Sequence, residues 1–173
     1  MPWELFGLIP GDNGITQTAN AIRQAVFYAI RNSPSVRLRA ELLTSGLPAR
    51  DEYSEVNAVF SWVLRHYRSL RDPRGLELVK SPEVSDKEIS ERGAFQGDCD
   101  DVAAYLAALL SAIGYRVKLV VMSVPNRDGA FRHIYIKVFL PKQKRWLPLE
   151  ATAPQKPAGW SAPSDRIREY PLF

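Results

Sequence analysis

Hydrophobic period changes once along this chain, at Gly114, and few folds accommodate such a change. Before it, Val102, Leu106, Leu109, Leu110 and Ile113 recur at helical spacing, and Gly114 can close that helix in a left-handed cap. After it, three segments read as strands: 117–123, 131–140 and 145–150. In the second, Ile134, Ile136, Val138 and Leu140 fall on one face, while His133, Tyr135 and Lys137 fall on the other. Strands joined by short turns pair antiparallel, because a parallel pair needs a crossover of roughly a dozen residues or more. The class is therefore α+β, with a buried helix packed on a small antiparallel sheet.

The upstream half reads as helical. Thr16 or Thr18 can cap a helix to Arg31 in which Ile22, Val26, Phe27 and Ile30 line one side, and Asn32-Ser33-Pro34 stops it. A second helix is expected over 36–43. A third is expected over 52–67, burying Val56, Val59, Phe60, Val63 and Leu64. Residues 1–14 read as an irregular arm ending in the turn Pro10-Gly11-Asp12-Asn13-Gly14. Residues 71–95 are rich in proline, glycine and charge, and read as a long ordered loop with a helical turn near 85–92. A proline-rich tail over 151–173 should be tied down by Trp160, Tyr170 and Phe173. One domain results: arm and helices over 1–50, a core over 51–155, and a packed tail over 156–173.

Charge and composition narrow the function classes. In 173 residues, Lys and Arg number 23 against 19 acids, but the basic residues are scattered rather than gathered in a stripe. That distribution argues against a nucleic-acid partner. No apolar run approaches the ~20 residues needed to span a bilayer, so no membrane partner is expected. A single cysteine excludes an internal disulfide, and no secretion signal is visible, which suits a cytoplasmic or phage-particle setting.

That cysteine stands in Gly97-Asp98-Cys99-Asp100-Asp101, at the start of the apolar helix. A helix start carries about half a unit of positive charge and unpaired N–H groups, which favour a thiolate. The flanking carboxylates push its pKa the other way. Asp98 can cap the helix, and Asp100 and Asp101 can complement its first turn. A cysteine nucleophile also needs a base and a group to orient that base. Only His66 and His133 are available, and His66 has no supporting pattern. With a hairpin loop at 140–143, Phe139 pairs with Lys144 and His133 lies directly opposite Glu150. Directly opposed side chains have Cβ atoms roughly 4.5–5.5 Å apart, within reach of a carboxylate–imidazole hydrogen bond.

In this order of residues the chain resembles the transglutaminase-like superfamily of papain-fold enzymes. The resemblance runs through Gly97-Asp98-Cys99-Asp100-Asp101-Val102-Ala103, Gly114-Tyr115, Arg132-His133-Ile134-Tyr135 and Trp146-Leu147-Pro148-Leu149-Glu150-Ala151-Thr152. The upstream Tyr67-Arg68-Ser69-Leu70-Arg71-Asp72-Pro73 is similar to the segment preceding that core in bacterial and phage members. The resemblance implies Cys99 as nucleophile, His133 as general base and acid, and Glu150 as the orienting acid. Glu150 departs from the family's more frequent Asp. It also implies acyl transfer through a thioester. The Cys99 N–H and the Gln96 side chain are then candidate oxyanion donors. A further resemblance, to bacterial transglutaminase-like proteases whose cysteine-flanking acids bind calcium, implies Asp98 and Asp100 as ligands. Helix capping accounts for the same acids, and both readings stand. The chemistry requires no cofactor, and zinc lacks ligand spacing.

The expected function is a cysteine hydrolase, a peptidase or amidase acting on a protein or peptide substrate. Transfer of a glutamine acyl group to an amine is the alternative within the fold. Outside enzymology, the alternative is a non-catalytic phage structural or assembly module that keeps the fold.

Overall fold

A computed structural model describes residues 3–7, 12–48, 50–73, 76–125 and 129–173. Helices come first. Helix α1 (Asp12–Asn32) gives way to α2 (Pro34–Thr44), whose leading proline fits a first helical turn where N–H groups are unpaired anyway. Helix α3 (Glu52–His66) is capped by Asp51, which accepts the Ser54 N–H at 3.2 Å. Helix α5 (Cys99–Ala112) is buried from Asp100 to Leu110, as an apolar helix must be when neighbours surround it. It packs against α1, α2 and α3, and its far end closes at Gly114 (φ 93°), where the Tyr115 N–H reaches the Leu110 carbonyl at 3.1 Å.

The sheet follows. Strands β5 (Val117–Ser123), β6 (Phe131–Leu140), β7 (Arg145–Leu149) and β8 (Ile167–Pro171) form an antiparallel sheet of order β7-β6-β5-β8. Its inner face presents Leu119, Val121, Ile134, Ile136, Val138, Leu140, Leu147 and Leu149 to one core with α5. On the outer face Val120, Met122 and Tyr135 form a smaller cluster, covered in part by Ala162 of the tail. The α+β class and the helix-on-sheet layering expected from the periodicity are both present.

Several expectations need correction. The amino-terminal arm is not irregular: β1 (Trp3–Gly7) pairs antiparallel with β3 (Leu76–Lys80). Its partner lies far along the chain, so no local pattern announces it. Helix α1 begins at Asp12, before either threonine expected to cap it. Segment 71–95 is not one loop, since it holds β3 and a three-turn helix, α4 (Pro82–Arg92), closed by Gly93 at φ 78°. It ends in β4 (Phe95–Gly97), which runs parallel to β2 (Tyr67–Ser69). The tail supplies β8, with Pro171 tolerated because β8 is an edge strand. The Leu172 side chain is buried and its N–H donates to the Val117 carbonyl at 3.3 Å. Of the turn expected over 125–129, positions 126–128 lie outside the described residues. Among the described residues no helix is long and apolar enough to cross a membrane.

Candidate active site

The cysteine end of the site is built by a reciprocal cap. Strand β4 delivers the chain to Asp98, whose side chain accepts the Asp100 N–H at 3.4 Å, while Asp101 accepts the Asp98 N–H at 3.3 Å. Asp101 also takes the backbone N–H of Lys80 at 2.7 Å, which ties β3 to the helix start. Gly97 makes this possible. A Cβ there would meet the Asp101 Oδ2 and lie 2.6 Å from the Asp101 Cβ, so no larger residue fits without moving the cap. Cys99 is thereby fixed as the first residue of α5 and is half-buried, reachable from outside.

The histidine end is built by the sheet. Met122 pairs with His133 and Ser123 with Phe131, so Arg132 is an extra residue and the ladder bulges immediately before His133. Bulges bend a strand and re-aim the adjoining side chain. The His133 Nε2 lies 2.6 Å from the Glu150 Oε2. Glu150 is 2% exposed, and its other oxygen accepts both the N–H (3.1 Å) and the hydroxyl (2.6 Å) of Thr152. With Nε2 turned to the carboxylate, Nδ1 is left to exchange a proton.

The register that brings this pair together is not the expected one. Leu140 pairs with Arg145 and Phe139 with Trp146, so the hairpin loop is 141–144, one residue further along. Pro141 has no N–H to give the ladder, and Lys144 takes a left-handed φ of 50° to close the turn. Continuing the count places Thr152 opposite His133, with Glu150 on the diagonal. The two-residue displacement preserves the face, and the diagonal is about 7–8 Å at the backbone. The longer reach of glutamate over aspartate suits that span.

Charge is concentrated at the helix start. Burial, reinforced by the charge of Asp72 and opposed by local N–H groups and His133, lifts Asp98 to about 6. That His133 acts on Asp98 puts the imidazole in the electrostatic neighbourhood of the residue adjoining Cys99. Burial also raises Asp101, against the hydrogen bond from Lys80. Burial pushes Glu150 up, but the bonds from His133 and Thr152 outweigh it and hold the carboxyl below its ordinary range.

Asp98, Cys99 and Asp100 offer ligand atoms within 4.8 Å of one another. Asp100 is 1% exposed, and neither of its oxygens has a hydrogen-bond partner among the described residues. A buried carboxylate without partners is costly, and a hard cation would satisfy it. The donor set therefore fits calcium at Asp98 and Asp100 as part of an oxygen shell. Gln96 fares differently: its side chain is exposed, its N–H donates to Glu88 at 3.2 Å, and its carbonyl accepts from Lys80.

The family model of the transglutaminase-like superfamily matches residues 41–151. The chain belongs to that superfamily. A solved structure described as a "putative protease" from Parabacteroides distasonis is 16% identical, with a TM-score of 0.54 over 89% of this chain and 29% of that one. A "putative cysteine protease" from Cytophaga hutchinsonii is 14% identical, with a TM-score of 0.53 over 99% of this chain and 63% of that one. The chain thus spans less than two thirds of either structure's length, and these likenesses establish the papain-like fold alone. No curated protein matches it. Tyr67, a buried residue that acts electrostatically on Cys99, entered the sequence reading only as the end of a helical pattern and the start of the upstream segment of the resemblance, with no role attached to it.

Proposed function

We propose that this protein is a cysteine peptidase or amidase acting through Cys99, His133 and Glu150. The observation that carries the reading is the 2.6 Å contact between the His133 Nε2, on β6, and a buried, doubly anchored Glu150 just past β7, in a sheet packed on the helix that begins with the only cysteine. Glu150 holds the ring so that Nδ1 faces outward as the base. His133 takes the Cys99 proton, the thiolate adds to an amide carbon, and His133 returns the proton to the leaving amine. A thioester remains, which water cleaves with His133 again as base. The solved neighbours described as putative proteases favour a protein or peptide substrate.

Calcium held by Asp98 and Asp100 would offset the negative charge beside the thiol and so favour its ionised form. The chain's own residues perform every proton transfer.

Fluorescein-labelled casein tests the reading. Wild-type protein in millimolar calcium should release soluble fluorescence, and Cys99→Ala and His133→Ala should each reduce the rate by at least about a hundredfold. Cleavage that survives Cys99→Ala refutes it. Incorporation of a fluorescent amine into unlabelled casein separates transfer from hydrolysis.

A further inference from the structure

Beside the candidate site lies a buried polar group with no role in the chemistry above. Tyr67, the first residue of β2, is 8% exposed, and its hydroxyl oxygen has no hydrogen-bond partner among the described residues. The Ser69 hydroxyl, two residues on, draws the Tyr67 pKa down as a hydrogen-bonding neighbour, but its distance and angle fall outside those of a formed bond, so the Tyr67 hydroxyl is still without a full partner among the described residues. Native proteins pair nearly all buried hydroxyls, so an orphan of this kind points to a partner that arrives from outside.

The surroundings hold this hydroxyl near Cys99. Tyr67 pairs with Phe95 in the parallel β2–β4 ladder, which continues to Ser69 and Gly97. The Leu70 N–H then donates to the Gly97 carbonyl at 2.7 Å, so the strand bearing Tyr67 is bonded to the segment that delivers Asp98 and Cys99. The Tyr67 ring packs on Phe95 with centroids 5.4 Å apart, and Phe95 meets Tyr105 of α5 edge-on at 5.3 Å. The charged groups that act on the hydroxyl are Cys99, Asp98 and Asp101.

We propose that the Tyr67 hydroxyl is the side-chain donor to the oxyanion formed during acyl transfer at Cys99, the role that spacing alone assigned to Gln96. The inference rests on the cysteine-hydrolase reading above. When the thiolate adds to the carbonyl carbon, an S–C bond forms and the carbonyl π pair moves onto oxygen. Collapse returns that pair and expels the leaving group, giving the thioester. Burial and the neighbouring anions push Tyr67 up to about 12, so at neutral pH it keeps its proton and can donate but not act as a base. A donor unpaired in the resting enzyme and satisfied only by the developing oxyanion stabilises the transition state selectively.

The probe is p-nitrophenyl acetate, whose acylation of Cys99 releases p-nitrophenolate, read beside alkylation by iodoacetamide. Alkylation attacks a saturated carbon and forms no oxyanion. Tyr67→Phe should slow acylation about 100-fold while leaving the alkylation rate within about twofold. Equal acylation by Tyr67→Phe and wild type overturns the proposal, as does an equal slowing of acylation and alkylation. Wild type that releases no more nitrophenolate than Cys99→Ala refutes the cysteine-hydrolase reading itself. Should Tyr67→Phe fail to fold, difluorotyrosine at position 67 keeps the hydroxyl but makes it more acidic. Acylation should then fall on the alkaline side at a lower pH than in wild type, and an unmoved alkaline limb overturns the assignment.

Discussion

Replacing Gly97 by alanine should destabilise the protein far more than its single added methyl suggests. The new Cβ would collide with the Asp101 carboxylate and lie 2.6 Å from its Cβ, so Asp101 must swing away. It then abandons the Lys80 N–H at 2.7 Å and the Asp98 N–H at 3.3 Å. Each donor left unsatisfied in a buried setting costs about 1–3 kcal/mol. Loss of glycine's freedom in the unfolded chain returns only about 0.4–1 kcal/mol. The net expectation is a loss of about 1–5 kcal/mol by these terms, read as a lower urea midpoint with an unchanged slope. A double-mutant cycle locates the cause, because in an Asp101→Gly background the same alanine should cost less than about 1 kcal/mol. A stability within about 0.5 kcal/mol of wild type, or an equal cost in both backgrounds, refutes the claim that the cap requires glycine.

Thr152→Val removes one of the two bonds that anchor Glu150, and should lower kcat/KM on casein about tenfold while Thr152→Ser keeps it. Asp98 binds protons more tightly folded than unfolded, so in EDTA stability should fall by roughly 2 kcal/mol as pH rises from about 4 to about 6. Asp98→Asn should flatten that window in urea titrations. Glu150 works with the opposite sign: its contribution is present above the ordinary carboxylate range and is lost as pH falls through its lowered pKa. Asp100→Asn removes a buried charge without partners, and should raise Tm in EDTA while abolishing any rise in Tm on adding calcium.

Much of the architecture is legible in the sequence because periodicity reports burial. The apolar spacing from Val102 to Ile113 and the alternation from Ile134 to Leu140 define the central helix and the strand facing it, and β5 and β6 match the expected bounds. Elements held by distant partners are silent. Strands β2 and β4 have three residues each, too few for alternation, and β1 is ordered by β3 from far along the chain. Helix α4 was obscured by its polarity: Asp86 is buried yet satisfied, accepting from Arg39 at 3.0 Å and from Tyr105 at 2.8 Å. Pairing of His133 with Glu150 could be anticipated because a two-residue slip preserves the face, although the ladder itself is displaced. The exposure of Gln96 and the burial of Tyr67 could not be read from spacing, since the β2–β4 ladder sets the faces they take.

In the proposed triad, His133 governs the ionisation of Cys99. Carboxamidomethylation by iodoacetamide, followed by mass spectrometry across pH in millimolar calcium and in EDTA, measures that directly. With calcium, wild-type Cys99 should react with an apparent pKa well below the ordinary thiol value of about 8.5, and His133→Ala should restore the ordinary value. A wild-type profile that follows an unperturbed thiol in both buffers, and is identical in His133→Ala, would contradict it.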